Sequence, residues 1–214
     1  MEDNRYGFAP VWDTALRFLH WWNASLMALM LTTGAVFVIA GHHDMKESTE
    51  AALLTAHAII GFLLGAGLLA RVLWLFMGTG SARWTDMLPL SAPQRKVFWG
   101  TIRYYLKGLR GSPPLYFGHN PFAGLIYLGF FAIACVQVVS GAVFLGLPED
   151  LRGKSVIHEV HEAGFVLIIL FIAAHLTAVF VHELKERHGL ISAMVHGRKT
   201  FTREERDLLS GEYP

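Results

Sequence analysis

Two histidines in the last apolar stretch of the chain, His161 and His175, have the residue type and the spacing of metal ligands. Ser155–Glu186 contains about 20 residues apolar enough to cross a bilayer, and residues 163 to 181 include no formally charged side chain. At 100° and ~1.5 Å per residue, their 14-residue spacing returns to nearly the same helix face roughly 21 Å further along the axis. One helix therefore offers two imidazoles at two depths, where ionisable residues indicate function. The alternative is isolated histidines that bond backbone carbonyls.

The amino-acid composition indicates that these histidines belong to a membrane protein. Hydrophobic residues make up 53% of the 214 and charged residues 16%, and the mean hydropathy is +0.41. These values are typical of a multi-span membrane protein rather than of a soluble core. The one cysteine, Cys135, excludes a disulfide framework and covalent haem attachment through C-x-x-C-H.

Four apolar segments predict an all-α fold, a four-helix transmembrane bundle that forms one integral-membrane domain over residues 1–214. Each segment is long enough to cross ~30 Å of hydrocarbon. The spans are predicted at residues 15–40, 51–76, 122–147 and 156–184. A polar segment, GHHDMKESTE, is predicted to link the first two spans.

The segment between the second and third spans is too polar to cross the membrane, and residues 92–110 predict an amphipathic helix there. One face carries Phe98, Ile102, Tyr105 and Leu109, and the other carries Lys96, Arg103, Lys107 and Arg110. This pattern predicts a helix that lies on an anionic membrane surface. An ordinary soluble surface helix is the alternative.

The distribution of lysine and arginine predicts the orientation of the chain. With four spans both termini lie on one side, and that side, with the long loop, holds all but three of the 18 basic residues. The exceptions are Lys46, Arg152 and Lys154. By the positive-inside rule, this distribution predicts a multi-pass membrane protein with both termini cytoplasmic.

This orientation sorts four histidines into two pairs by depth. His57 and His161 lie near the outer face, whereas His20 and His175 lie nearer the cytoplasm. Two axial imidazoles on facing helices suit a b-type haem, so the pattern predicts two haem b groups with these four iron ligands. A zinc or copper site would need three or four ligands at one depth. A proton relay is a further alternative, but the middle of the membrane region lacks the carboxylates that relays usually include.

Several other residues support or compete with this assignment. His158 competes with His161, although it lies about 100° off the face of His175. Arg71 follows His57 by 14 residues and is predicted to bind haem propionates, with an arginine that snorkels to the interface as the alternative. Three glycines are predicted to let a porphyrin approach or to pack helices closely: Gly34, which lies level with the outer pair, Gly61 and Gly164. The histidines predicted to be solvated are His42, His43, His182, His188 and His196.

Asn120 and His119, in the segment GHNPF before the third span, predict a quinone site near the cytoplasmic haem. Such a site needs an apolar cleft, a hydrogen-bond donor for a carbonyl oxygen, and a route for protons. The Asn120 amide is a donor, and the His119 imidazole can relay protons. The alternative is that Asn120 and Pro121 simply begin a helix.

The segments VWDTALRFLHWWNA, GHNPFAG, HEVHEAGFVLIILFIAAH and LISAMVHGRKTF resemble the membrane cytochrome b subunit of nickel-iron hydrogenases and the wider prokaryotic di-haem cytochrome b561 group. The resemblance covers nearly the whole chain, and the histidine pair on the fourth span is its most specific feature. It implies haem ligation by His20, His57, His161 and His175. A resemblance to the related formate dehydrogenase membrane subunit implies that Asn120 lines a quinone pocket.

The function implied is that of an electron-transfer subunit between membrane quinone and a periplasmic redox partner, either a hydrogenase-like subunit or a cytochrome. The link between the first two spans is shorter than in typical hydrogenase subunits, so the identity of the partner stays open. Two other functions stay open, a stand-alone superoxide:quinone oxidoreductase and a haem-free anchor or transporter. The lipid bilayer is an expected partner and nucleic acid is not, and a homodimer is an open alternative.

Overall fold

The computed structural model of the protein describes residues 6–152 and 155–212, apart from the side chains of residues 40–44, 149, 211 and 212. The chain is mostly helical. Its four long helices are α1 (Thr14–Asp44), α2 (Glu47–Met77), α5 (Pro121–Gly146) and α7 (Val156–Glu186). The shorter helices are α3 (Trp84–Met87), α4 (Ala92–Leu106), α6 (Glu149–Arg152), α8 (Leu190–His196) and α9 (Arg203–Glu212), and the strands are β1 (Tyr6–Pro10) and β2 (Arg198–Thr202).

The four long helices confirm the four predicted spans. Each is long and apolar enough to cross a membrane, so the chain is a multi-pass membrane protein. The predicted polar link between the first two spans is mostly helical, because only Met45 and Lys46 lie between α1 and α2. The acidic residues of that link, Glu47 and Glu50, occupy the first turn of α2, where negative charge stabilises a helix.

Tertiary contacts divide the chain into two compact units. The first unit comprises residues 1–17, 73–128 and 175–214, and the second unit comprises residues 18–72 and 129–174. Every long helix contributes residues to both. The second unit buries one cluster from all four helices, formed by Met27, Leu64, Leu68, Ala134 and Ile168. The outward faces of these helices are also apolar, as membrane helices require.

The first unit contains a two-stranded sheet that the all-α prediction missed. Strands β1 and β2 pair antiparallel, with Tyr6 opposite Thr202 and Pro10 opposite Arg198. Phe201 on β2 is buried with Val11 and Leu209 in a second apolar cluster. Two five-residue strands at opposite ends of the sequence give only a weak local pattern, because the hydrogen bonds that stabilise them are not local.

Helix α4 is shorter than predicted and packs a row of residues next to its predicted apolar face against the protein. It begins with a capping box between Ser91 and Gln94 and ends at Leu106, because Gly108 and Leu109 adopt positive φ values of 64° and 62°. The buried residues are Val97, Thr101 and Tyr104. Phe98, Ile102 and Tyr105 of the predicted apolar face each follow a buried residue by one position, and Leu109 lies beyond the end of the helix. The contact of this face with a membrane surface stays a prediction.

Candidate functional site

The structure brings two of the predicted ligands together within the second unit. The rings of His57 on α2 and His161 on α7 have centroids 6.3 Å apart and planes at 74° to each other. Two imidazole–metal bonds of ~2 Å, together with the half-widths of two rings, span about 6 Å. The two rings are therefore spaced to accommodate one metal centre between them. Their role as ligands stays a prediction.

A hydroxyl group on a neighbouring helix holds each of these imidazoles. Thr33 Oγ1 on α1 lies 2.7 Å from His57 Nδ1, and Ser140 Oγ on α5 lies 3.0 Å from His161 Nδ1. Each hydroxyl donates its own proton to a carbonyl of its own helix, Thr33 to Leu29 or Met30 and Ser140 to Gln137. Each hydroxyl oxygen must then accept a hydrogen bond from Nδ1–H. Since a neutral imidazole carries one N–H, Nε2 of both rings keeps its lone pair for a metal.

Glycines lie against both rings. A Cβ atom on Gly141 would lie 2.9 Å from His161 Cε1, and one on Gly34 would lie 3.1 Å from Phe165 and 3.9 Å from His57 Cε1. The contact with His57 confirms that Gly34 lies level with this pair. Gly141 was missed because no helical repeat relates it to a histidine on another helix. Gly61 and Gly164 instead face Met30 and Gln137, as expected of glycines that pack helices closely.

These residues fit a haem whose iron would be held by the two imidazoles. Nδ1 of each ring is held by a hydroxyl, which leaves the Nε2 lone pair for the iron, and glycines lie beside both rings. A bare metal ion is a poorer fit. Within residues 6–152 and 155–212, no group of three or more His, Cys, Asp or Glu side chains is placed to hold one.

Arg71 is buried in the second unit. It is 7% exposed, and its guanidinium carbon lies 5.7 Å from the ring centroid of Phe131. An arginine that snorkels keeps its head group in water, so this burial contradicts the snorkelling alternative. A buried guanidinium is costly unless it meets an anion. The location therefore suits the predicted contact with a haem propionate, which stays a prediction.

The other two predicted ligands belong to different units. His20 lies in the second unit, with its ring centroid 5.3 Å from that of Trp21. His175 lies in the first unit, 5.7 Å from the ring of Tyr127, which in turn lies 6.3 Å from the ring of His119. The pairing of His20 with His175 stays a prediction.

Asn120 makes the contacts of a helix cap. Its Oδ1 accepts a 3.0 Å hydrogen bond from the Phe122 backbone N–H, and its Nδ2 donates to Thr101 Oγ1 at 2.9 Å. The amide carries two N–H donors, so capping is compatible with a contact to a quinone. Beside it, the His119 ring Nδ1 and backbone N–H lie 2.8 and 2.7 Å from Asp86 Oδ2.

The first unit contains a hydrogen-bonded cluster that the sequence analysis missed. Glu186, whose side chain is 1% exposed, lies 2.7 Å from His182 Nδ1 and accepts a 3.1 Å hydrogen bond from the Tyr116 hydroxyl. His182 is 8% exposed and His188 forms two ion pairs, so the prediction that these two histidines are solvated is wrong. The i, i+4 spacing of His182 and Glu186 is a sequence signal that would have found the pair.

The remaining histidines predicted to be solvated have separate outcomes. His196 is exposed, which confirms its prediction, and the side chains of His42 and His43 lie outside the described part of the structure. Lys154, one of the three basic residues assigned to the outer side, also lies outside it.

Lys199 is a buried cation beside the cluster. Its Nζ donates to the carbonyls of Phe117 and Gly118, both at 3.0 Å, and lies 4.6 Å from the ring centroid of Tyr116. Burial lowers the pKa of Lys199 to about 8, although the negative charges of Glu186 and Asp86 oppose the shift. Lys199 therefore ties strand β2 to the segment before α5.

Comparison with known proteins places the chain among membrane cytochromes. A family model described as prokaryotic cytochrome b561 matches residues 11–197. The chain is 29% identical to the probable Ni/Fe-hydrogenase B-type cytochrome subunit of Azotobacter vinelandii, over 92% of this chain and 90% of that protein. It is 26% identical to the probable Ni/Fe-hydrogenase 1 B-type cytochrome subunit of Escherichia coli (strain K12), over 89% of this chain and 90% of that protein.

Proposed function

The chain belongs to the prokaryotic cytochrome b561 family, and from this premise we propose that it is a di-haem cytochrome that carries electrons between a periplasmic redox partner and membrane quinone. Membership of the family makes the chain a b-type membrane cytochrome of electron transfer. The observation that carries the finer proposal is the His57–His161 pair, with ring centroids 6.3 Å apart and a hydroxyl on each Nδ1.

In this proposal, His57 and His161 hold one haem, and His20 and His175 hold a second. Each haem, when bound, supplies an iron centre that takes up and releases one electron. The 14-residue step between His161 and His175 supports two centres, because it sets two imidazoles on one face of α7 at separate depths. Arg71 binds a propionate, because it is buried in the second unit and a guanidinium forms paired hydrogen bonds with a carboxylate.

The proposed orientation puts both termini in the cytoplasm of a bacterium, with the chain in the inner membrane. The support is the charge distribution, since all but three lysines and arginines lie on the side of the termini. His57 and His161 then lie near the periplasmic face. The names of both relatives refer to Ni/Fe hydrogenase, so we propose a hydrogenase-like protein as the periplasmic partner.

The hydroxyl contacts give a prediction about the potential of one haem. An Nδ1–H···O hydrogen bond makes an imidazole a stronger donor to iron and so favours the oxidised state. Thr33→Val removes this bond at His57 and keeps the side-chain volume. A net hydrogen bond of about 0.5–1.5 kcal/mol corresponds to about 20–60 mV for one electron, so we expect one midpoint potential to rise by that amount in a spectroelectrochemical titration.

Thr33→Ser is the matched control for this change, because it keeps the hydroxyl and loses the methyl group. We expect wild-type potentials in this variant. Equal potentials in Thr33→Val and the wild-type protein would show that the hydroxyl does not tune the iron.

Quinone reoxidation tests the proposed function and the site at Asn120. Reduced wild-type protein, mixed without oxygen with a short-chain quinone, should return to the oxidised spectrum; no reoxidation would contradict the proposal.

Asn120→Leu should leave haem content and reduction intact but slow reoxidation by about tenfold, the scale of one lost hydrogen bond. Asn120→Ser keeps a side chain that caps a helix, but its hydroxyl donor lies closer to the backbone than the asparagine amide. Slow reoxidation in both variants supports a quinone contact, and a wild-type rate in Asn120→Ser assigns Asn120 to capping.

A further inference from the structure

We propose that Tyr105, His182, Glu186, His188 and Glu205 form a path that carries protons from water to a quinone bound beside α4. All five side chains belong to the first unit. The inference rests on the proposed function, because it assigns the route by which quinone reduction takes up its protons.

The inner half of the path is a chain of short hydrogen-bond distances. The Tyr105 hydroxyl lies 2.7 Å from His182 Nε2, and His182 Nδ1 lies 2.7 Å from Glu186 Oε1. The two ring nitrogens of His182 thus face a hydroxyl and a carboxylate. An imidazole in this position accepts a proton at one nitrogen and releases one from the other.

The outer half of the path connects Glu186 to solvent. His188 Nε2 lies 3.2 Å from Glu205 Oε1, and the Glu205 side chain is 31% exposed. His188 Nδ1 lies 3.7 Å from Glu186 Oε2, a gap that a bridging water or a small tilt of the ring closes. Burial by itself would lower the pKa of His188, but the nearby carboxylates of Glu186 and Glu205 outweigh burial and raise it. His188 is therefore suited to carry a proton near neutral pH.

The inner end of the path lies at the proposed quinone site. The ring of Tyr105, which is 37% exposed, lies 5.6 Å from the ring of Phe122, two residues after Asn120. Thr101, one helical turn before Tyr105 on α4, accepts the hydrogen bond from Asn120. A quinone bound to the Asn120 amide would therefore have the Tyr105 hydroxyl near it.

Other charged or titratable side chains face the path and shape its charge. Tyr116 donates a hydrogen bond to Glu186, Tyr104 lies 6.4 Å from His182 between ring centroids, and Tyr127 is close enough to Tyr105 to interact with it electrostatically. Lys199 interacts with Glu186 electrostatically. This positive charge offsets the cost of an ionised Glu186 away from water.

Reduction of each quinone to quinol consumes two electrons, which arrive through the cytochrome, and two protons, which enter from water at Glu205. Glu186 is ionised at rest and holds a proton only in transit. It takes the proton from His188 and passes it to His182 Nδ1, as the Nε2 proton of His182 moves to the Tyr105 oxygen and Tyr105 releases its own hydroxyl proton to a quinone oxygen. His188 then regains a proton from Glu205, and Glu205 from water.

His182→Gln and Tyr105→Phe each interrupt the path, and reoxidation of the reduced protein by a short-chain quinone measures the effect. We expect reoxidation at least about tenfold slower in both variants, at the low end of what proton transfer by a positioned group contributes. The loss should be larger at alkaline pH, where protons are scarcer. Reoxidation by ferricyanide, which takes one electron and no proton, should keep its wild-type rate, and haem content should not change.

His196→Gln is the matched control, since His196 is exposed and lies outside the path; its quinone rate should equal that of the wild-type protein. In His182→Ala, added imidazole buffer should restore the quinone rate, which a packing role would not allow. Wild-type quinone rates in His182→Gln and Tyr105→Phe would overturn the path, as would an equal loss with ferricyanide. A wild-type protein that ferricyanide reoxidises and quinone does not would contradict the proposed function itself, and the path with it.

Discussion

Replacement of His161 by alanine should remove one of two haems and leave the other in place. The rings of His161 and His57 are spaced for one iron between them, and a haem that loses one of two imidazole ligands would be held weakly. A pyridine haemochrome assay should give about two haems per wild-type chain and about one in His161→Ala. His57→Ala should remove the same haem, as judged by the optical and EPR signals that disappear.

His158→Ala is the matched control for this experiment. His158 lies one turn earlier on α7 and packs against the ring of Phe144, with centroids 5.7 Å apart. We expect this variant to keep both haems. A loss of haem in His158→Ala with none in His161→Ala would transfer the ligand role to His158. A wild-type chain with one haem, or with none, would contradict the two-pair assignment.

Replacement of His175 by alanine should remove the other haem and abolish reoxidation by quinone. In the proposed orientation His175 belongs to the haem nearer the cytoplasm, and α7 brings it close to the proposed quinone site through Tyr127 and His119. Without this haem, electrons have no carrier beside the quinone. The remaining haem should still be reduced by dithionite and oxidised by ferricyanide, which separates this result from general unfolding.

His20→Ala tests the proposed pairing of His20 with His175, which stays a prediction because the two residues belong to different units. It should remove the same optical and EPR signals as His175→Ala and retain those lost in His161→Ala. If His20→Ala instead removed the haem of His57 and His161, the assignment of His20 would be wrong. A variant without His20 that kept both haems would exclude it as a ligand.

Span number, span position and the spacing of the histidines on α7 could be predicted from the sequence. Each depends on properties of neighbouring residues: a run apolar enough to cross hydrocarbon, and a helical period that repeats along one segment. The position of Gly34 at the depth of His57 also followed from the helical period. Glu47 and Glu50 were assigned to the polar link between the first two spans, but they lie in the first turn of α2 and stabilise its start.

Predictions failed where burial depends on partners distant in sequence. The face that α4 buries in the protein includes Thr101, which accepts a hydrogen bond from Asn120, so the apolar residues of α4 alone did not indicate that face. His182 and His188 looked solvated because they follow the apolar run, whereas Tyr105 and Glu205 approach them from other elements. The sheet of β1 and β2 has the same origin, because its strands meet only after the chain has folded.

Residue types on single helices thus determined by themselves that this chain spans a membrane and carries histidines at haem-ligand spacing. Only the tertiary structure decided which ring nitrogen of His57 and of His161 keeps its lone pair for a metal. Thr33 and Ser140 reach the Nδ1 atoms of His57 and His161 from other helices, and no periodicity along one helix indicates that contact. The tautomer of a ligand histidine depends on the hydrogen bond that its other nitrogen makes, and that bond exists only once four helices have packed in a particular register.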